Sequence, residues 1–195
     1  MTQVSKKLEQ VTVLFAGDSG DGIQLTGTQF TTNTALFGND LSTFPDFPAE
    51  IRAPLGTIPG VSGFQIHFGS VDIYTPGDRC DVLVVMNAAA LKKNLSRLKE
   101  RGTIIVNTSG FDKRNLRLAG IEEGQNPLIN HSLEGFKVHE FDITKLTRES
   151  LKESSLGTKD RDRCKNMFVL GFVYWMYNRK IDSSIDFLKT KFASK

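Results

Sequence analysis

"FAGDSGDGIQ", residues 15–24, closes an apolar run and opens a helical pattern, and its reading decides the fold. Before it, "VTVLFAG" (11–17) is β-branched and aromatic and ends on glycine, as a short strand buried on both faces does. After it, Ile23, Gly27, Phe30, Thr34 and Phe37 recur at three- and four-residue steps until Gly38 offers a helix end. Strand, glycine turn and helix together open a wound α/β sheet. The turn also poses a chemical question, because Gly17, Gly20 and Gly22 alternate with Asp18, Ser19 and Asp21. Helix-start amides attract an anion, whereas two carboxylates repel one.

Outward from this turn the pattern repeats. "NDLSTFPDFPAEIRAPLGTIPGVSGFQIHFGS" (39–70) carries four prolines, so no long element can run through it, and within it "FQIHFGS" (64–70) alternates as a strand. "CDVLVVMN" (80–87) and "TIIVNTS" (103–109) read as buried strands flanking an amphipathic helix, "AAALKKNLSRLKERG" (88–102). A polar stretch reads as irregular, "FKVHEFDIT" (136–144) as a strand, and "TKLTRESLKES" (144–154) as a helix with a Thr cap. "DRCKNMFVLGFVYWMYNR" (162–179) is apolar nearly all round and predicts a buried core helix, with Trp175 in the core; "DSSIDFLKTKFASK" (182–195) predicts a short last helix. Strands alternating with helices predict a doubly wound, mostly parallel, Rossmann-like α/β sheet with helices on both faces. The expected organisation is a flexible N-terminus over 1–10 and one domain over 11–195. Ligands of such sheets sit beyond the C-terminal strand ends, so the turns after Ala16, Met86 and Val106 are expected on one edge, bringing Asn87 and Asn107 there.

Composition bounds the partners. Apolar residues make up 39% and charged residues 24%, and 25 Lys+Arg against 22 Asp+Glu leave a net charge of only +3. Scattered bases on helix faces predict no nucleic-acid site. The polar start "MTQVSKKLEQ" and the lack of a long apolar run predict a cytoplasmic protein that does not engage a membrane. Cys80 and Cys164 are isolated, so neither zinc nor a cluster is expected on them. His67, His131 and His139 have no nucleophile beside them in the pattern, and no catalytic residue is assigned.

For the turn itself, the order is G-x-x-G-x-G and not the dinucleotide order G-x-G-x-x-G, and it lacks the lysine of a P-loop. Asp40 lies where a ribose-binding carboxylate would follow, so a stand-alone Rossmann-like nucleotide- or dinucleotide-binding protein is one alternative, and a purely structural subunit is another. "GDG" (20–22) resembles the start of a thiamine diphosphate and magnesium motif, but "FPDFPAE" stands where the paired Asn is required.

"AGDSGDGIQLTG" (16–27), "FPAEIRAPLG" (47–56), "GDRCDVLVVMN" (77–87) and "RCKNMFVLGF" (163–172), in that order, resemble the gamma domain of the 2-oxoacid:ferredoxin oxidoreductases. Within that family they are most similar to the N-terminal domain of the 2-oxoglutarate enzyme's alpha subunit. The family's Pro/Glu/Arg segment is matched by Pro48, Glu50 and Arg52, with Ala53 and Pro54 where the family carries two glycines, and its "NMFVLG" asparagine by Asn166. The resemblance implies a component of an enzyme that oxidatively decarboxylates a 2-oxoacid to an acyl-CoA, inactive as an isolated chain. Thiamine diphosphate, Mg2+ and iron–sulfur clusters are expected in partner domains. Those partners are the pyrimidine-binding (alpha) and thiamine-binding (beta) domains or subunits, with ferredoxin met through the complex. For this domain it implies assembly and coenzyme A binding, with Gly17, Asp18, Ser19, Gly20, Asp21, Gly22, Ile23, Arg52 and Asn87 as the candidate contacts.

Overall fold

The computed structural model describes residues 8–50 and 52–193. Most of the flexible N-terminus expected over 1–10 lies outside them. Six strands form one sheet in the order β2-β3-β1-β4-β5-β6: β1 (Gln10–Asp18), β2 (Asp40–Asp46), β3 (Val61–Gly69), β4 (Cys80–Val85), β5 (Leu98–Asn107) and β6 (Lys137–Phe141). β1, β4, β5 and β6 pair in parallel, while β3 lies antiparallel between β1 and β2. The expected mostly parallel α/β sheet is what forms.

Alternation along β1 sends side chains to two cores. Val11, Val13 and Phe15 face α1 (Ile23–Leu36) and α6 (Lys165–Met176). Leu14 and Ala16 face α2 (Ala88–Asn94), whose Ala88, Ala89, Ala90 and Leu91 are buried. The first core is aromatic: Phe30 meets Phe15 and Phe68 edge-on at centroid distances of 5.9 and 5.3 Å and stacks on Tyr174 at 5.9 Å. The Tyr174 hydroxyl, buried with the ring, lies 3.0 Å from the Gln29 carbonyl and 2.7 Å from Ser184 Oγ. That pairing offsets the cost of burying a polar atom. Ser184 belongs to α7 (Asp182–Lys191), so the last helix is pinned to the first.

Several boundaries differ from the sequence expectation, each for a local reason. β2 forms within the proline-rich stretch because it is an edge strand, where Pro45 costs no central ladder bond. The helix expected over 88–102 stops at Asn94 and passes through one 3-10 turn into β5, which already begins at Leu98. A register shift between Cys80 and Val82 absorbs Lys99–Gly102. The polar stretch contains α3 (Lys113–Leu118), capped by Asp112 on the Asn115 amide at 2.8 Å. α4 (Ile143–Ser150) is capped by Asp142, not Thr144. The long apolar segment breaks at Cys164 into α5 (Thr158–Arg163) and α6. Trp175 is not in the core: it is 64% exposed, because α6 buries one face only.

Candidate functional site

The helices that follow the neighbouring strands β1 and β4 go to opposite faces of the sheet, α1 to one core and α2 to the other. Such a parting leaves a crevice beyond the strand ends. Here it is a polar cleft of about 290 Å3, bounded by Asp18 and Asp21 at the end of β1, Met86 and Asn87 after β4, and Asn107 and Ser109 at the end of β5. α4 contributes Thr144, Lys145 and Arg148, and α6 contributes Lys165. The expected gathering of three strand ends on one edge therefore holds, and the end of β6 joins them. A larger apolar groove of about 830 Å3 lies past α3 and shares no lining residue with the cleft.

The first turn is closed by its own side chains. Both carboxylate oxygens of Asp18 lie 3.0 Å from the Gly56 amide, with Asn87 on the same wall of the cleft. Burial raises the Asp18 pKa above the ordinary aspartate value, and the Gly56 N–H works in the other direction. Asp21 Oδ2 accepts the Asp18 amide at 3.0 Å, and Oδ1 sits 3.1 Å from Lys165 Nζ. A Cβ on Gly17 would come within 2.9 Å of Asp21 Oδ2, so the hollow of the turn is filled by that carboxylate. Gly22 takes φ +71°, and a Cβ there would overlap the Asn166 amide, so only glycine lets α6 lie against the start of α1. Ser19 and Gly20 form the exposed tip, with Gly20 facing Leu55, and Ile23 is buried beneath it.

Of the residues singled out in sequence, Asp18, Asp21, Asn87 and Asn107 line the cleft. Gly17, Gly22 and Ile23 shape its wall from behind. Arg52 is exposed on the segment after β2, four positions before the anchored Gly56, and is not among the residues lining the cleft. Asn87 also caps α2, its Oδ1 accepting the Ala90 amide at 2.9 Å.

Apart from Asn107, the far wall was not singled out in sequence. Ser109 Oγ donates to Asn107 Oδ1 at 3.0 Å and lies 2.6 Å from Thr144 Oγ1, tying the end of β5 to α4. Arg148 forks onto Asp162 at 2.6 and 2.8 Å, which raises the arginine's pKa and lowers the aspartate's. Lys145 is exposed at the cleft, and its ammonium makes no hydrogen bond or ion pair among the described residues. The signal for it in the sequence is a fourth strand end, that of β6, followed at once by "DITK".

No histidine or cysteine lines the cleft, and the Ser109 hydroxyl is held by Asn107 and Thr144. Buried Cys80 has its thiol pKa pushed up to about 12 by desolvation, the opposite of an activated thiolate. Lysine ammoniums with amide and hydroxyl donors suit an anionic, phosphorylated ligand. A dinucleotide in the Rossmann manner is disfavoured by Asp40, which sits at the start of β2, at the sheet's other end, accepting the Leu41 and Ile73 amides at 2.9 and 2.7 Å.

The chain is 52% identical over 190 residues to 2-oxoglutarate oxidoreductase subunit KorA of Mycobacterium tuberculosis, covering 97% of this chain and 29% of that protein. Among solved structures it is similar to the 2-oxoglutarate:ferredoxin oxidoreductase of Magnetococcus marinus, with bound 2-oxoglutarate, coenzyme A and succinyl-CoA, at 24% identity and TM-score 0.70 over 96% of this chain and 28% of that one. It is also similar to the gamma subunit of a keto/oxoacid ferredoxin oxidoreductase from Geobacter sulfurreducens, at 17% identity and TM-score 0.56, covering 84% of this chain and 75% of that one. The chain thus spans less than a third of the first two relatives. The family described as pyruvate ferredoxin/flavodoxin oxidoreductase matches residues 12–195, and on that match and the KorA identity the chain belongs to this family.

Proposed function

We propose that this chain is the gamma-type domain of a 2-oxoglutarate:ferredoxin oxidoreductase and supplies part of its coenzyme A site. The observation that carries the reading is the 52% identity to a 2-oxoglutarate oxidoreductase subunit over nearly the whole chain. The relative is more than three times as long, so the remaining chemistry belongs to partner domains. Thiamine diphosphate, Mg2+ and the iron–sulfur clusters reside there, in the pyrimidine-binding and thiamine-binding units, and ferredoxin is met through the assembled complex. Among the described residues no group of three or more His, Cys, Asp or Glu could hold a metal ion, and no helix is long and apolar enough to cross a membrane. The proposed location is the cytoplasm.

For coenzyme A, the support is the cleft beside the glycine turn. Asp21 already fills the hollow of that turn, so the phosphates lie against its outer side, with Gly17–Ile23 as the wall. Lys145 and Lys165 supply charge and Asn87, Ser109 and Thr144 supply polar contacts, while Arg52, exposed on the segment after β2 and outside the cleft lining, is the further candidate for a phosphate. The domain thus orients the acyl acceptor, while bond making takes place on the partner's cofactor. The test is to reconstitute the complex with and without this chain and follow 2-oxoglutarate-dependent ferredoxin reduction and succinyl-CoA formation. The reading expects both to require the chain. An Arg52→Ala complex should show a raised KM for coenzyme A, and full activity without the chain would refute the reading.

A further inference from the structure

α6 is apolar on two faces, one covered fully and the other only in part. Asn166, Val169, Leu170, Val173 and Tyr174 are buried; on the other face, at spacing i, i+3, i+4 and i+7, Phe168 and Phe172 are half-buried against the same core, while Gly171 and Trp175 are exposed. A helix apolar all round is a helix meant to be covered all round. Phe141 of edge strand β6 extends the face, its ring 5.2 Å from Phe172, which is in turn 5.7 Å from Trp175. Beside these rings lies a wholly apolar hollow of about 120 Å3 lined by Phe141, Leu146, Phe168 and Phe172. That is too small for a cofactor, whose sites run to about 300–1,000 Å3, and suits one inserted side chain. At Gly171 there is open space where a Cβ would stand, so another backbone can approach closely.

We propose that this face is the seat of the remainder of the oxidoreductase, the polypeptide beyond this domain in the longer relatives. It docks through an apolar segment that inserts one aliphatic or aromatic side chain into the hollow and lies over Gly171 and Trp175. The inference rests on the component reading above, and what names the occupant is length: a chain matching KorA over 97% of itself accounts for only 29% of KorA. Aromatic anchors around a fitted hollow are the usual centre of such an interface.

The experiment purifies the tagged chain from its native cells and measures the thiamine-containing, 2-oxoglutarate-oxidising subunits that come with it, for wild type, Trp175→Arg and Gly171→Arg. Both positions are exposed, so the unfolding midpoint of the isolated variants should match wild type. Recovery of the partner should fall at least about tenfold, the equivalent of about 1.4 kcal/mol. Hydroxyl-radical footprinting of the wild-type complex provides a reading free of any folding defect, since Trp175 is the chain's single tryptophan and should be protected on assembly. Undiminished recovery with an unprotected Trp175 overturns the inference and leaves the component reading intact. Variants that abolish only self-association also overturn it, in favour of a second copy. A wild-type chain that brings down no such subunit overturns both.

Discussion

The turn after β1 and the turn after β6 stand on the same edge of one sheet, yet the first is closed and the second open. In the first, Asp21 occupies the hollow, Lys165 holds Asp21, and Asp18 is committed to Gly56. In the second, Asp142 caps α4 and leaves the Lys145 ammonium unpartnered among the described residues. A glycine turn before a helix can thus be closed from within and offer no cradle to an outside anion. Its donors can be satisfied by a carboxylate of the turn itself, while the unpartnered cation stands at a neighbouring strand end.

The largest expected effect falls on the closed turn. Gly22→Ala combines a left-handed backbone with an overlap on Asn166, and should cost about 2–4 kcal/mol by denaturant unfolding. Adding Asn166→Ala should recover the packing share and leave the backbone share. Full recovery would show that the turn is held open by packing alone.

Next comes Asp18. Its alanine variant leaves the Gly56 amide unpaired in a buried setting and should lose about 1–3 kcal/mol. Because burial raises this carboxyl's pKa, the folded chain holds the proton more tightly than the unfolded chain. That contribution is full below the ordinary aspartate pKa of 3.8 and is lost as pH rises through the raised value. Asp18→Asn, which still offers an oxygen to Gly56, should flatten this slope of stability with pH. An unchanged slope would place its origin elsewhere.

A smaller effect, about 1 kcal/mol, is expected for Asp21→Ala, which leaves the Asp18 amide without its partner and Lys165 without its counter-ion. The informative reading is the response to sulfate. With the hollow emptied, sulfate should raise the unfolding midpoint of the variant more than that of wild type. Equal shifts would mean that the turn was never an anion cradle held shut.

Much of this was legible in the sequence. Buried strands such as "CDVLVV" and the glycine turn fix the sheet class, because only crossover helices can join such strands in parallel, and Asn87 and Asn107 were placed correctly from the strand-end rule alone. What was not legible depended on contacts distant in sequence. Lys165 meets Asp21 across 144 positions of chain, and Gly56 meets Asp18 only because the proline-rich segment folds back along an edge strand that alternation could not reveal. Trp175 was misplaced because an apolar pattern reports what must be covered and is silent on whether this chain does the covering.

The central claim is that the open end of this edge, and not the hollow of its glycine turn, receives coenzyme A. Steady-state kinetics of the assembled oxidoreductase carrying Lys145→Ala test it most directly, since loss of an unpartnered surface ammonium should leave stability within about 0.5 kcal/mol of wild type. The account predicts a KM for coenzyme A raised on the order of tenfold with the KM for 2-oxoglutarate unchanged, the loss of one charge-assisted contact. An unaltered KM for coenzyme A would contradict it.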